Sequence, residues 1–232
     1  MTTDQPAVEQ LDEEDSDGEE SGGRRARRHR NARRNAIEWI IVVVGALVVA
    51  IVIKTFLFQA FYIPSVSMEP TLKVGDRVLV NKLSYKLHDV HHGDIVVFER
   101  PSTDPQLVEG CDGKQVTIRP TKNTEEVHDL IKRVIAVAGD TIEVRTENNV
   151  GKVFVNGKQI DEPYLAPNTS TPPFESSAFP VQCIKVPKDE VFVLGDNRMN
   201  SAASNRFGPI PESLIVGRAF VRVWPLGSIG GI

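Results

Sequence analysis

Cysteine is scarce. The 232 residues hold two, Cys111 and Cys183, with no CxxC pair, so a zinc ribbon is disfavoured. No sign of charge dominates: 27 Lys and Arg stand against 31 Asp and Glu, and the net charge of −4 excludes a uniformly basic nucleic-acid coat. With 25% charged and 41% hydrophobic residues, the chain is too polar for a multi-span membrane protein. Internal repeats are missing, and few segments show a 3.6-residue hydrophobic period. The five histidines are His29, His88, His91, His92 and His128, and no Ser–His–Asp set declares itself among them. The group HDVHH has no further Cys or His nearby at a ligand spacing, so it reads as a polar turn before a strand, and no metal or cofactor is expected.

What is present begins with a divided N-terminus. Residues 1–20 carry nine acids and no Lys or Arg, and residues 24–34 carry seven Arg. Residues 1–36 contain no apolar run and read as a disordered tail, acidic and then basic. The Arg run directly precedes IEWIIVVVGALVVAIVIKTFLF. The uncharged stretch Trp39–Ile53 covers only ~22 Å of a ~30 Å hydrocarbon layer, whereas a helix over 37–58 reaches about 33 Å. Glu38 and Lys54 then fall at the two interfaces. The positive-inside rule puts the tail in the cytoplasm and residues 59–232 outside the cell membrane, as an extracytoplasmic domain on a single-pass anchor. A cleaved signal peptide is the competing reading, but no small-x-small site follows the apolar stretch.

Residues 59–232 are long enough for a sizeable core, and their texture is β. DIVVF, VTIR, IEVR, KVFVNG, VFVLGD and AFVRVW are short runs rich in Val, Ile and Phe, punctuated by Gly, Pro, Asn and Asp. Asn156-Gly157 between KVFV and KQI predicts a tight hairpin. The expected fold is mainly β, an antiparallel sheet domain tethered to one transmembrane helix. APNTSTPPFESSAF reads as a surface loop. Outside the cytoplasm a disulfide between Cys111 and Cys183 is permitted, and two separate thiols remain equally open, because sequence separation says nothing of distance in space.

Three stretches offer chemistry. In YIPSVSMEPTL, residues 62–72, Ser65 and Ser67 share one face of a stiff extended segment, as nucleophile and helper, or else the segment is a loop leaving the membrane. A serine needs a base. Besides histidine, a lysine kept neutral by desolvation can serve. Lys132 lies in DLIKRVIAVAGD, on one strand face with Leu130, Val134 and Ala136, while Arg133 points the other way. Its stem simply covering apolar surface is the plainer alternative. In FVLGDNRMNSAASNRFG, residues 192–208, a strand breaks into a loop where Asp196 pairs with Arg198 and Ser201 orients an amine, or which is only a turn-rich connector.

Taken in order after one N-terminal anchor, these stretches resemble the boxes of type I signal peptidases. IPSVSMEPTL resembles the nucleophile box, HGDIVVF a strand box, IKRVIAVAGD the lysine box and GDNRMNSAASNRFG the third box, and the resemblance covers about residues 37–225. It implies a Ser–Lys dyad, with Ser67 as nucleophile and Lys132 as general base. It further implies an oxyanion hole from the Ser67 N–H and the Ser65 hydroxyl, with Ser201 hydrogen-bonded to the Lys132 amine and Asp196 and Arg198 as support. Ile63, Pro64, Met68, Leu72, Leu130 and Ile131 would line subsites for small residues, as in Ala-x-Ala. The implied partners are preprotein signal peptides, the lipid bilayer and the secretion translocon, with no nucleic acid. The third box departs from the family's usual GDNRxxSxDSR: Ala203 stands at the acid position and Asn205 where Arg is expected, with Arg206 one later. Glu69 and Leu130 also depart, and residues 101–129 lengthen the stretch between strand and lysine boxes. Two other functions fit less well. The anchor and the lack of a helix-turn-helix pattern oppose a self-cleaving repressor-type regulator, and a non-enzymatic anchored β module for binding or assembly draws its weight from the altered third box.

Overall fold

The computed structural model describes residues 37–51, 57–120, 129–174 and 178–232. The acidic and basic tail, Lys54 and His128 lie outside the described residues. The chain divides into two units, residues 1–52 and 53–232. In the first, residues 37–51 form helix α1, whose Ile, Val and Leu side chains are exposed. Among the described residues no helix is long and apolar enough to cross a membrane. Residues 52–56 of the expected 37–58 span are outside the description, and Phe58 already belongs to a strand.

The second unit is built of antiparallel strands, as the alternating Val- and Ile-rich runs predict. They are β1 (Phe58–Tyr62), β2 (Arg77–Asn81), β3 (Ile95–Glu99), β4 (Gln106–Gly110), β5 (Gln115–Ile118), β6 (Asp129–Ala136) and β7 (Thr141–Glu147). The series continues with β8 (Val150–Val155), β9 (Lys158–Gln159), β10 (Cys183–Lys185), β11 (Glu190–Leu194), β12 (Ile210–Pro211), β13 (Ile215–Trp224) and β14 (Gly230–Gly231). Two one-turn helices, α2 (Ser84–Leu87) and α3 (Ser204–Phe207), interrupt it. One sheet runs β1-β2-β13-β3-β6-β11-β12 with β14 on β13, and the other runs β5-β4-β10-β7-β8-β9.

Alternation along β3 explains two of the three cores. Ile95 and Val97 face a cluster with Ile63, Met68, Leu72, Val78, Val80, Ile131 and Ala219. Val96 and Phe98 face the opposite one, with Val90, Val134, Val191, Val193 and Ile210. The third and largest cluster joins Ile142, Val144, Val153 and Val155 of the second sheet to Phe192 and Leu194 of β11. The Asn156-Gly157 hairpin forms between β8 and β9, with both residues at positive φ (52° and 73°), the conformation such tight turns need.

Two findings settle or correct the sequence reading. Cys111 and Cys183 are joined, with Cα atoms 5.5 Å apart, stapling the turn after β4 to β10. The Pro/Ser/Thr-rich stretch is not a surface loop throughout. Its Thr171, Phe174, Ala178 and Phe179 are buried, and the Phe174 ring lies 5.0 Å from Phe179 and 5.3 Å from Phe192. Two aromatic rings outweigh the polar composition around them, because burying each removes a large apolar area from water.

Candidate active site

Two connections and one strand converge on one cavity. The β1–β2 connection carries Ser65 and Ser67. Its ends are tied by Ile63 N–H to Asp76 O at 2.9 Å and Gly75 N–H to Ile63 O at 2.9 Å. Within it, Val66–Met68 is a single 3-10 turn, and Met68 anchors it in the core beneath. Lys132 sits in the middle of β6, opposite Val96 of β3. The loop after β11 carries Asp196, Arg198 and Ser201.

Lys132 is 3% exposed and Ser67 7% exposed, and a 2.9 Å hydrogen bond joins Lys132 Nζ to Ser67 Oγ. Lys132 Nζ also donates to Ile131 O at 2.8 Å. Leu130 and Val134, two residues to either side, pack with the cluster around Phe98, as the strand period requires. The Ser65 hydroxyl is more exposed and donates to Ser67 Oγ at 3.2 Å. A cavity of about 410 Å³ opens on this group; its walls include Ser65, Ser67, Leu130, Lys132, Ser201 and Arg206. Ser201 lines it too, buried, yet its hydroxyl has no hydrogen-bond partner among the described residues, so the bond to Lys132 implied by the resemblance is not made here.

The expected apolar subsite residues divide. Leu130 lines the cavity. Ile63, Met68, Leu72 and Ile131 are buried in the cluster under the Ser67 turn instead, and Pro64 is exposed. The charged support also pairs differently from the local guess. Asp196 does not pair with Arg198. Its carboxylate takes a bidentate bond from Arg133 (Nε at 2.9 Å, Nη2 at 2.7 Å) and a third from the Thr71 hydroxyl at 2.5 Å. Arg198 turns to Glu162 and the Thr171 hydroxyl, and its Nε donates to Gly195 O at 3.1 Å. Neighbours in sequence lose to partners across the fold because a planar guanidinium needs a carboxylate presented edge-on.

Other residues of the third box also shape the site, in roles that the box alone did not assign. Asn197 N–H donates to Ser67 O at 3.1 Å, and Asn197 Nδ2 to Val66 O at 3.2 Å, pinning the Ser67 turn to the β11 loop. Gly195 passes so close that an added Cβ would lie 2.1 Å from Ser201 Oγ and 2.5 Å from Ser67 O, so only glycine fits. The Ser204 hydroxyl accepts from Val193 N–H at 2.9 Å. Ala203 is core, and Asn205 Oδ1 is buried without a hydrogen-bond partner among the described residues.

A family profile described as "Signal peptidase, peptidase S26" matches residues 36–224. The chain belongs to the signal peptidase family. "Probable signal peptidase I-2" of Synechocystis sp. is 42% identical over 188 residues, covering 81% of this chain and 72% of that protein. "Signal peptidase I" of Leptolyngbya laminosa is 38% identical over 185 residues, covering 80% of this chain and 78% of that protein. "Signal peptidase IB" of Staphylococcus aureus is 34% identical over 206 residues, covering 84% and 93% respectively. As a member of this family the chain is a serine endopeptidase, a hydrolase of peptide bonds. Within the family frame, Ala203 and Asn205 leave the third box without its usual acid and arginine, and Arg133 with Asp196 forms a buried ion pair at the same loop.

Proposed function

We propose that the protein removes N-terminal signal peptides from exported preproteins, cutting after small residues with Ser67 as nucleophile and Lys132 as general base. The observation that carries this reading is the buried 2.9 Å hydrogen bond between Ser67 Oγ and Lys132 Nζ. Desolvation disfavours an ammonium. With the amine neutral, the Ser67 hydroxyl donates to the Nζ lone pair. Lys132 takes the proton as Ser67 Oγ attacks the scissile carbonyl, and the oxyanion develops against the Ser67 N–H and the Ser65 hydroxyl. The tetrahedral intermediate collapses to an acyl-enzyme as Lys132 protonates the leaving amine. The neutral amine then takes a proton from a water that attacks the ester, and as the second tetrahedral intermediate breaks down it returns that proton to the departing Ser67 Oγ, releasing the carboxyl product. In this reading small residues are selected by exclusion, with Leu130 as an apolar wall of the cavity beside Ser67.

In the same reading the apolar segment over 37–58 anchors the chain in the cell membrane, the tail stays in the cytoplasm, and the β unit works outside, beside the translocon and the lipid surface. Exposed Tyr62, Phe220, Trp224, Leu226 and Ile229 support the lipid contact. Tyr62 and Trp224 both stand opposite Arg77, on the strands flanking β2. Incubation of the purified chain with a preprotein bearing an Ala-x-Ala site tests the enzymatic reading. Cleavage is expected to vanish in both Ser67→Ala and Lys132→Ala and to rise with pH in the unaltered chain. Undiminished cleavage in Lys132→Ala removes the dyad.

A further inference from the structure

One turn behind the site contacts Arg133, the neighbour of Lys132, and Arg198, on the loop bonded to Ser67. Glu162-Pro163-Tyr164-Leu165 closes with Leu165 N–H donating to Glu162 O at 3.1 Å, and proline in its second position fixes the backbone there. Neither Glu162 nor Tyr164 lines the cavity that holds Ser67 and Lys132. We propose that Glu162 and Tyr164 are positioning residues for the Ser67–Lys132 pair, bracing from this single turn both the strand that carries the base and the loop that holds the nucleophile.

The first leg runs to the base. The Tyr164 ring lies beneath the Arg133 guanidinium, 3.9 Å from the guanidinium carbon to the ring centroid. A cation is held over the face of an aromatic ring by the ring's quadrupole. Arg133 is the residue after Lys132, so a fixed Arg133 fixes the backbone from which Lys132 projects. That guanidinium also donates to Gly93 O at 2.9 Å and to both oxygens of Asp196, which leaves it one orientation.

The second leg runs to the nucleophile. The Glu162 carboxylate accepts from Arg198 Nη1 at 3.3 Å and from Arg198 Nη2. Side chains here are enclosed, Arg198 at 1% exposure and Glu162 at 11%, so the pair has little water to relax into. Arg198 Nε holds Gly195 O at 3.1 Å, Gly195 abuts Ser67 O and Ser201, and Asn197 N–H bonds Ser67 O at 3.1 Å. The legs are tied at their root: the Tyr164 hydroxyl donates to Glu162 Oε1 at 2.9 Å. Burial, and then the Glu162 charge, push the phenol's pKa upward, so it stays a donor throughout the working range.

This inference rests on the Ser–Lys reading, and the experiment separates the two. Full-length chain in lipid-containing micelles is assayed on an Ala-x-Ala preprotein for kcat, KM and the pH profile, with the folded fraction of each variant measured by thermal unfolding. Tyr164→Leu removes the ring from Arg133, Tyr164→Phe keeps the ring and loses only the tie to Glu162, and Glu162→Gln weakens the hold on Arg198. Misplacing a reacting group by 1 Å can cost about a hundredfold, so Tyr164→Leu and Glu162→Gln are expected to lower kcat per folded molecule by about tenfold. KM is expected to stay within about twofold of the unaltered chain, and the midpoint of the pH profile to move in Tyr164→Leu, because the base has shifted in its surroundings. Tyr164→Phe is expected to recover most of what Tyr164→Leu loses. If kcat per folded molecule and the pH midpoint are unchanged in both Tyr164→Leu and Glu162→Gln, the turn is only structural and the proposal falls. Cleavage that survives in Ser67→Ala or Lys132→Ala overturns the dyad itself, a different failure with a different signature.

Discussion

Lys132 and Arg133 are adjacent in β6, both basic and both buried, and the fold treats them in opposite ways. Lys132 Nζ is given neutral oxygens, Ser67 Oγ and Ile131 O. Arg133 is given a carboxylate, gripped on two edges, with an aromatic ring beneath. Burial disfavours the charged form of an amine, and a general base must be able to shed its proton. A guanidinium in a bidentate clamp has its orientation fixed and serves as a post. Strand alternation puts one residue on each side of the sheet. Under the proposed mechanism, a single residue step separates the group that changes its charge from the group that anchors the loop.

Exchanging the two side-chain types breaks the comparison most directly. Lys132→Arg installs a base that cannot deprotonate, and cleavage is expected to drop by about a thousandfold or more, the scale of a lost general base. Far-UV circular dichroism should remain that of the folded chain. Arg133→Lys does the reverse: the charge stays, the fork is lost, and one oxygen of Asp196 loses its donor. Urea unfolding is expected to report a loss of about 1–3 kcal/mol, while kcat falls far less than in Lys132→Arg. Equal kinetic damage in the two variants would erase the distinction between the faces.

The disulfide sharpens the contrast from outside. The Cys111–Cys183 bridge lies in the second sheet, and neither cysteine lines the cavity. It closes a loop of sequence separation 72, for which the chain-entropy account gives about 4 kcal/mol. The double variant Cys111→Ser, Cys183→Ser is expected to lose about 2–4 kcal/mol in denaturant melts. Its kcat per folded molecule should match the unaltered chain. A large fall in that kcat would mean the second sheet sets the site's geometry, and the two-faced strand would no longer be the relevant unit.

Much of the arrangement was legible in order and spacing. The Val- and Ile-rich runs announced an antiparallel fold and Asn156-Gly157 announced its hairpin, whereas Ser67 and Lys132 were singled out by resemblance to the family's boxes, their local surroundings leaving plainer readings open. Partner choice was not legible. Asp196 and Arg198 are two residues apart and invite pairing, yet each finds its partner across the fold, in Arg133 and Glu162, because edge-on geometry is a property of the folded chain. The same holds for Cys111 and Cys183, and for Phe174 and Phe179, which the surrounding Pro, Ser and Thr disguised. Glu162 and Tyr164 gave no local signal, since bracing requires knowing what lies behind the strand.

The smallest expected effect concerns a carboxylate treated unlike Asp196. Glu190, at the start of β11, is half-buried, its Oε2 enclosed without a hydrogen-bond partner among the described residues. Burial raises its pKa above the ordinary carboxylate value. A raised carboxyl favours the protonated form in the folded state. Its stabilising contribution is therefore complete below the unfolded-chain pKa and disappears as pH rises through the folded one. At neutral pH the chain carries an ionised group where water cannot fully solvate it. Glu190→Gln removes that charge at constant shape, and its melting temperature at pH 7 is expected to rise by about 1–2 °C. Near pH 4 the gain should vanish, because the native carboxyl is then protonated too. A gain equal at both pH values would trace the effect to packing, and Asp196, with three donors on its two oxygens, would lose its intended counterexample.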